Sequence, residues 1–308
     1  METPMSTDAS VPLAKNEDSP RGFAFALTAY LLWGFLPIYM KALAHISPAE
    51  VIAHRIVWSL PLAGIVLIVL GRTGDIRAAL RSPRMLAMAA LTASLITVNW
   101  GTYVWAIGAG HSLDAALGYF INPLFSIFLG SVLLKEKLQP LQIAAIALAA
   151  LAVVVLAFDS GGIPWVALTL AISWGFYALF RKTLPLGPNQ GFFLEVLLLS
   201  GPALLYILYL EFDSGQGHLY RTGFADTALL LGCGLITAVP LMIYANGAKL
   251  LKLSTIGIMQ YIAPTMIFLI AVFAFHEPLG TARMIAFSLI WAGLFLYSWS
   301  MLQASRGR

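Results

Sequence analysis

The feature that most constrains this chain is a recurrent one: apolar runs separated by short polar or Gly/Pro-rich breaks, repeating from Gly22 to Met301. Ten runs can be marked, at 23–44, 49–70, 85–109, 113–134, 139–158, 163–181, 191–211, 226–248, 254–275 and 281–301. Each has the length, about 17–25 residues, that a helix needs to cross a hydrocarbon core of roughly 30 Å. A helix is the one open-ended element that satisfies its own backbone in lipid, so each run is expected to be a transmembrane helix. Composition agrees: 60% of the 308 residues are hydrophobic and 10% are charged, against roughly 25% charged in an ordinary soluble chain. The expected class is an all-α integral membrane protein, with the lipid bilayer as its main partner. Ten spans consume most of the chain, so function is expected among the helices.

The net charge of +4 does not point to nucleic acid, because the basic residues sit at the ends of apolar runs rather than on one polar surface. With a cytoplasmic N-terminus, the segments on that side hold fourteen of the eighteen Lys and Arg residues, leaving Lys41, Arg55, Arg221 and Arg283 for the rest. The positive-inside rule then expects both termini in the cytoplasm. Residues 1–22, which include Lys15, lack a basic start followed by an apolar stretch and are expected to be a disordered cytoplasmic tail, with 302–308 as a cytoplasmic stub. Cys233 is a single cysteine inside an apolar run and forms neither a disulfide nor a metal cluster by itself.

The chain repeats itself. Residues 25–41 lie over 166–182 at an offset of 141, sharing Ala-Leu-Thr, Trp-Gly-Phe and a closing Lys. The same offset pairs Pro123 with Pro264 and Glu136 with Glu277, and an offset of 140 pairs Leu95-Ile96-Thr97 with Leu235-Ile236-Thr237. A five-helix duplication explains these landmarks, with repeats at 23–158 and 163–301. Because five is odd, the second copy enters the membrane from the opposite side. Inverted repeats are characteristic of secondary transporters, in which the site lies near the midplane between the halves.

Several polar and aromatic runs resemble those of the RarD group in the EamA family of the drug/metabolite transporter superfamily. They are Asn99-Trp100, Tyr103-Val104-Trp105-Ala106, the stretch Leu117 to Leu124, and Gln260 to Thr265, together with His54-Arg55 and Trp58-Ser59. The likeness extends from Gly22 to about Met301. It implies a bacterial inner-membrane permease of ten helices in two inverted five-helix repeats. It also implies that spans one to four and six to nine surround a central cavity, with spans five and ten peripheral. Where the usual motif has Ser before Leu-Gly-Tyr, this chain has Ala116.

Polar residues within spans are the informative ones, since a charge at the bilayer centre costs about 2.5–3.5 kcal/mol on insertion scales. Arg55 is placed either to snorkel to the interface or to fix an anionic group, with His54 beside it; Glu50 is placed to hold the imidazole. Asn99 and Tyr103, with Trp100 adjacent, form a polar stripe, and Tyr119, Asn122 and Ser126 form another. The second half offers Tyr244, Asn246, Gln260, Tyr261 and Thr265. These stripes suit either interhelical bonding or an amide- and aromatic-lined pocket for an amphipathic solute. Pro123 and Pro264 free the carbonyls of Tyr119 and Gln260 and are candidate gating bends. Trp33-Gly34 and Trp174-Gly175 are expected to be symmetry-related packing points, and Glu136 and Glu277 to be interfacial contacts or caps. Glu195 is a candidate for proton coupling.

The expected function is a secondary or facilitative permease, exporting a small-molecule substrate by alternating access. A non-transporting scaffold or receptor is the alternative, and the Ala-rich run from Ile143 to Phe158 suits either a homodimer or internal packing. An enzyme is the least favoured class, since H-E-x-x-H, G-x-S-x-G and metal-ligand clusters are absent. No cofactor or metal is expected. The phosphate-loop pattern is also absent, which argues against direct ATP drive.

Overall fold

The computed structural model describes residues 19–306 apart from 134, 136, 161, 184, 185, 249 and 252. The expected tail as far as residue 18, and with it Lys15, lies outside the described residues, as does Glu136. The described elements are α1 Pro20–Ala42, α2 Pro48–Val69, α3 Thr73–Leu80, α4 Pro83–Gly108, α5 Ser112–Leu133, α6 Pro140–Ser160, α7 Trp165–Thr183, α8 Pro188–Leu208, α9 Phe224–Ala248, α10 Leu253–Met259, α11 Ile262–Leu269 and α12 Thr281–Arg306. Wider π turns extend α8 through Tyr209–Ser214 and α11 through Ile270–Ala274. Eight of these helices are long and apolar enough to cross a membrane, and Trp165–Arg181 and Ile262–Ala274 are shorter apolar helices. Together they account for the ten expected spans.

Local chemistry sets where the helices start. Helices α1, α2, α4, α6 and α8 open on a proline, whose fixed φ suits the first turn and whose missing N–H is not needed there. Ser47 Oγ accepts the Glu50 N–H at 3.2 Å and Ser82 Oγ accepts the Met85 N–H at 3.4 Å, capping α2 and α4.

Two departures from the sequence reading stand out. The connection between α2 and α4 contains α3, a short helix whose Ile76 and Ala79 are buried; eight residues are too few to register as a span. The ninth span is not one helix, because the chain breaks at Gln260–Tyr261, where the Tyr261 N–H turns to the Ile258 carbonyl at 3.2 Å. Pro264 leaves the Gln260 carbonyl without its helical donor. Its counterpart Pro123 sits inside an unbroken α5, so the proline alone does not decide the break.

The helices pack with two-fold regularity. Helix α1 lies against α9 and α11, just as α7 lies against α4 and α5; α2 lies on α9 as α8 lies on α4. The pairs α2–α8, α5–α11 and α6–α12 map onto themselves. Close approaches repeat in the same register: a Cβ on Gly34 would run into Met266, and one on Gly175 into Phe125. Both partners are 141 residues apart, as the glycines are. Helices α6 and α12 lie together, and the buried Ala145, Ala149 and Ala152 give α6 a small-residue face, with Ala145 meeting Gly293 of α12.

Candidate functional site

Helix α2 carries the central charge. Arg55 is 3% exposed, so it is enclosed rather than reaching for an interface. Its Nε donates to Thr237 Oγ1 of α9 at 3.0 Å, and its guanidinium lies over the Trp100 ring of α4, 4.6 Å from the centroid. Tyr103, Tyr119 and Cys233 lie within electrostatic range of it. Arg55 Nη1 is buried and has no hydrogen-bond partner, and the same holds for the Tyr103 hydroxyl. Four helices from both halves therefore converge on one guanidinium.

His54, beside it, accepts the Trp58 Nε1–H at Nδ1, 2.9 Å away. Indole nitrogen only donates, so the imidazole is held with its proton on Nε2. Glu50 does not hold this ring. Its carboxylate instead receives the His218 backbone N–H at 2.8 Å and pairs with His218 Nδ1 at 2.9 Å. Glu50 sits in the first turn of α2, at the end of the bundle where the 215–223 connection passes, whereas His54 lies one turn deeper.

Asn99 is committed to structure. Its Nδ2 donates to the Leu170 carbonyl at 3.1 Å and to Ser173 Oγ at 3.0 Å, and its Oδ1 accepts from the Tyr119 hydroxyl at 3.2 Å. It thereby ties α4 to α5 and α7. Asn122 is buried with Oδ1 unpartnered, while Ser126, in the same expected stripe, is exposed.

The second-half candidates do not gather at Arg55. Tyr244 packs against Tyr30 and Trp33 of α1, with ring centroids 5.6 and 5.5 Å away. Asn246 is exposed and its amide bonds the Met242 carbonyl of its own helix. Gln260 and Tyr261 form the helix break, where Tyr261 stacks on Phe120 at 6.5 Å. Tyr261 also lines a cleft of about 240 Å³ with Phe120, Trp291 and Phe295, and a second cleft of about 230 Å³ lies between α2 and the end of α8.

Glu195 on α8 is 1% exposed and ion-paired with Arg181 Nε at 3.3 Å, and it accepts from the Tyr177 hydroxyl at 3.1 Å. Under the offset of 141 it occupies the position of His54, and Val196 that of Arg55. Glu50 and Glu211 are as enclosed as Glu195. Glu277 acts as a cap from a distance, accepting the Ser112 and Leu113 N–H groups at 2.9 and 3.0 Å at the start of α5.

The sequence reading missed Thr237, Ser173 and His218 as partners. Thr237 carried a signal, since it closes the Leu-Ile-Thr motif shared by the two halves; for His218 and Ser173 the sequence offered none.

The comparisons with known proteins agree with this architecture. The EamA-like transporter family matches twice, over residues 20–158 and 162–299. Protein RarD of Streptomyces exfoliatus is 41% identical over 95% of this chain and 92% of its own length. A protein of Bacillus subtilis named Uncharacterized transporter YojE is 38% identical over 95% of this chain and 98% of its own. A solved crystal structure aligns with a TM-score of 0.58 at 20% identity, covering 92% of this chain and 98% of that one, a likeness of fold. With two family matches spanning both halves and a two-fold helix packing to match, the chain is a multi-pass membrane protein that belongs to the EamA-like transporter family.

Proposed function

We propose that this membrane transporter is a secondary or facilitative permease of the bacterial inner membrane that exports a small amphipathic metabolite or drug. In this reading both termini are cytoplasmic, and access alternates as the two halves rock about the site between them. The observation that carries it is the Arg55 group: α2 and α4 of the first half and α9 of the second meet around one buried guanidinium and an aromatic wall. Rocking the halves would alter the Arg55–Thr237 contact directly, which is what coupling a bound solute to facing requires. The family match and a relative named as a transporter support the same class.

Reconstitution tests it. Proteoliposomes loaded with a panel of amphipathic solutes should release at least one faster than protein-free vesicles loaded alike, and Arg55→Gln or Asn122→Ala should slow that release. Uniform leakage at the rate of protein-free vesicles across the panel would count against the permease. An imposed proton gradient separates coupling from facilitated diffusion, and Glu195→Gln should abolish any dependence on it if the ion-paired carboxylate carries the proton.

A further inference from the structure

Arg55 is a full positive charge inside the bundle, and among the described residues no acid pairs with it. The enclosed carboxylates among the described residues are each engaged elsewhere. Glu50, five residues before it on the same helix, gives both oxygens to His218. Glu195 is held by Arg181 and Tyr177, Glu211 accepts the Leu219 N–H, and Glu277 accepts the N–H groups that open α5. Among the described residues no ion pair reaches Arg55.

Two neutral contacts offset part of the charge. The Trp100 ring offers its electron-rich face. Thr237 donates its own hydrogen to the Cys233 carbonyl at 2.7 Å, which turns its lone pairs toward Arg55 Nε. That contact satisfies Nε alone. The buried Nη1 carries donors and has no partner. An ionised group kept in this condition favours any state in which an anion completes its shell.

We infer that the Arg55 group recognises the anionic end of the transported solute, and that this solute bears a single carboxylate on a flat apolar body. The inference rests on the permease reading of the same site. One guanidinium with Nε already taken suits one carboxylate. A phosphate ester would call for further cations, and among the described residues none is in the group that interacts with Arg55. An amino acid zwitterion would need a carboxylate for its ammonium, and the enclosed ones are engaged. Trp100, Tyr103 and Tyr119 supply the wall for a planar body, with the unpartnered Tyr103 hydroxyl as a further polar contact.

Thermal melting of the purified full chain in detergent tests this with benzoate and indole-3-acetate as probes. Benzamide and indole-3-acetamide serve as neutral counterparts, and inorganic phosphate as a compact anion. The carboxylates should raise the melting temperature at concentrations at least about tenfold lower than the amides or phosphate. Arg55→Gln should erase that preference, and Arg55→Lys, which keeps the charge but loses the fork, should weaken it by about tenfold. Equal stabilisation by amides, precedence of phosphate, no stabilisation by either carboxylate, or a preference that survives in R55Q would each overturn the inference. If R55Q does not fold, the carboxylate–amide comparison on the unaltered chain still decides. The two readings fail separately: release of a neutral solute from proteoliposomes without carboxylate preference removes only the anion site, and preference without transport removes only the permease.

Discussion

Asn99 marks a limit on what polar residues in a membrane bundle reveal. With the Leu170 carbonyl, Ser173 and Tyr119 as partners, its amide is fully spent on holding three helices together. Interhelical hydrogen bonds of this kind are worth about 0.6–2 kcal/mol each in membranes. Asn99→Ala should therefore lower stability by about 1–3 kcal/mol, read as a drop in melting temperature, while Asn122→Ala, which removes an atom without a partner, should cost less. Both residues were visible in the sequence as amides inside apolar runs. What separates them is their partners, and for Asn99 those lie 20, 71 and 74 residues away. Arg55 was equally visible as a charge within a span, yet its sequence position suited snorkelling as well as enclosure. Only the arrival of α9, bearing Thr237 from 182 residues away, closes the question.

At the level of the helices, proline and glycine do most of the specifying. Serine-proline pairs at Ser19-Pro20, Ser47-Pro48 and Ser82-Pro83 start three helices one to three residues earlier than hydropathy alone suggested. The starts were legible and hydropathy simply ranked them below the apolar edge. The break at Gln260–Tyr261 was not legible, since α5 carries the matching proline and stays whole. Gly34 and Gly175 face different neighbours, the Cβ and thioether of Met266 and the ring of Phe125. Gly175→Ala and Gly34→Ala should each cost about 1–3 kcal/mol, because the new Cβ would meet the Phe125 ring at 2.5 Å in one case and the Met266 Cβ, which no rotamer change moves, at 2.8 Å in the other. Parallel melts of the two variants check the cost. Removing the distant cap at α5 with Glu277→Ala should cost about 1–2 kcal/mol and speed amide exchange at Ser112 and Leu113.

For the molecule as a whole, the two-fold was readable because landmarks recur at one offset, and the contacts between helices obey it. Of the latches between halves, only the capping role of Glu277 was readable, and its partner was not. At one end, Glu50 of α2 grips His218 in the connection that follows α8, and His45 pairs with Asp226 at 3.0 Å. At the same end, Glu277 and Arg283 of the second half hold the start of α5, with Arg283 reaching Asp114 at 3.3 Å. Apart from Glu277, these groups come from loops and helix tips that carry no periodic signal. His218→Ala should raise the exchange rate of amides in 215–223 and leave α6 and α12 unchanged, as read by hydrogen–deuterium exchange.

The symmetry is one of helix packing and not of charges. His54 and Arg55 occupy the places that Glu195 and Val196 hold in the other half. Two identical halves that traded conformations would produce facing states of equal free energy, with a solute bound equally well from either side. Here the trade sets a guanidinium against an isopropyl group and an imidazole against an ion-paired carboxylate. The degeneracy is lifted, and the resting population and the affinities at the two faces become separately adjustable by substitution at these four positions.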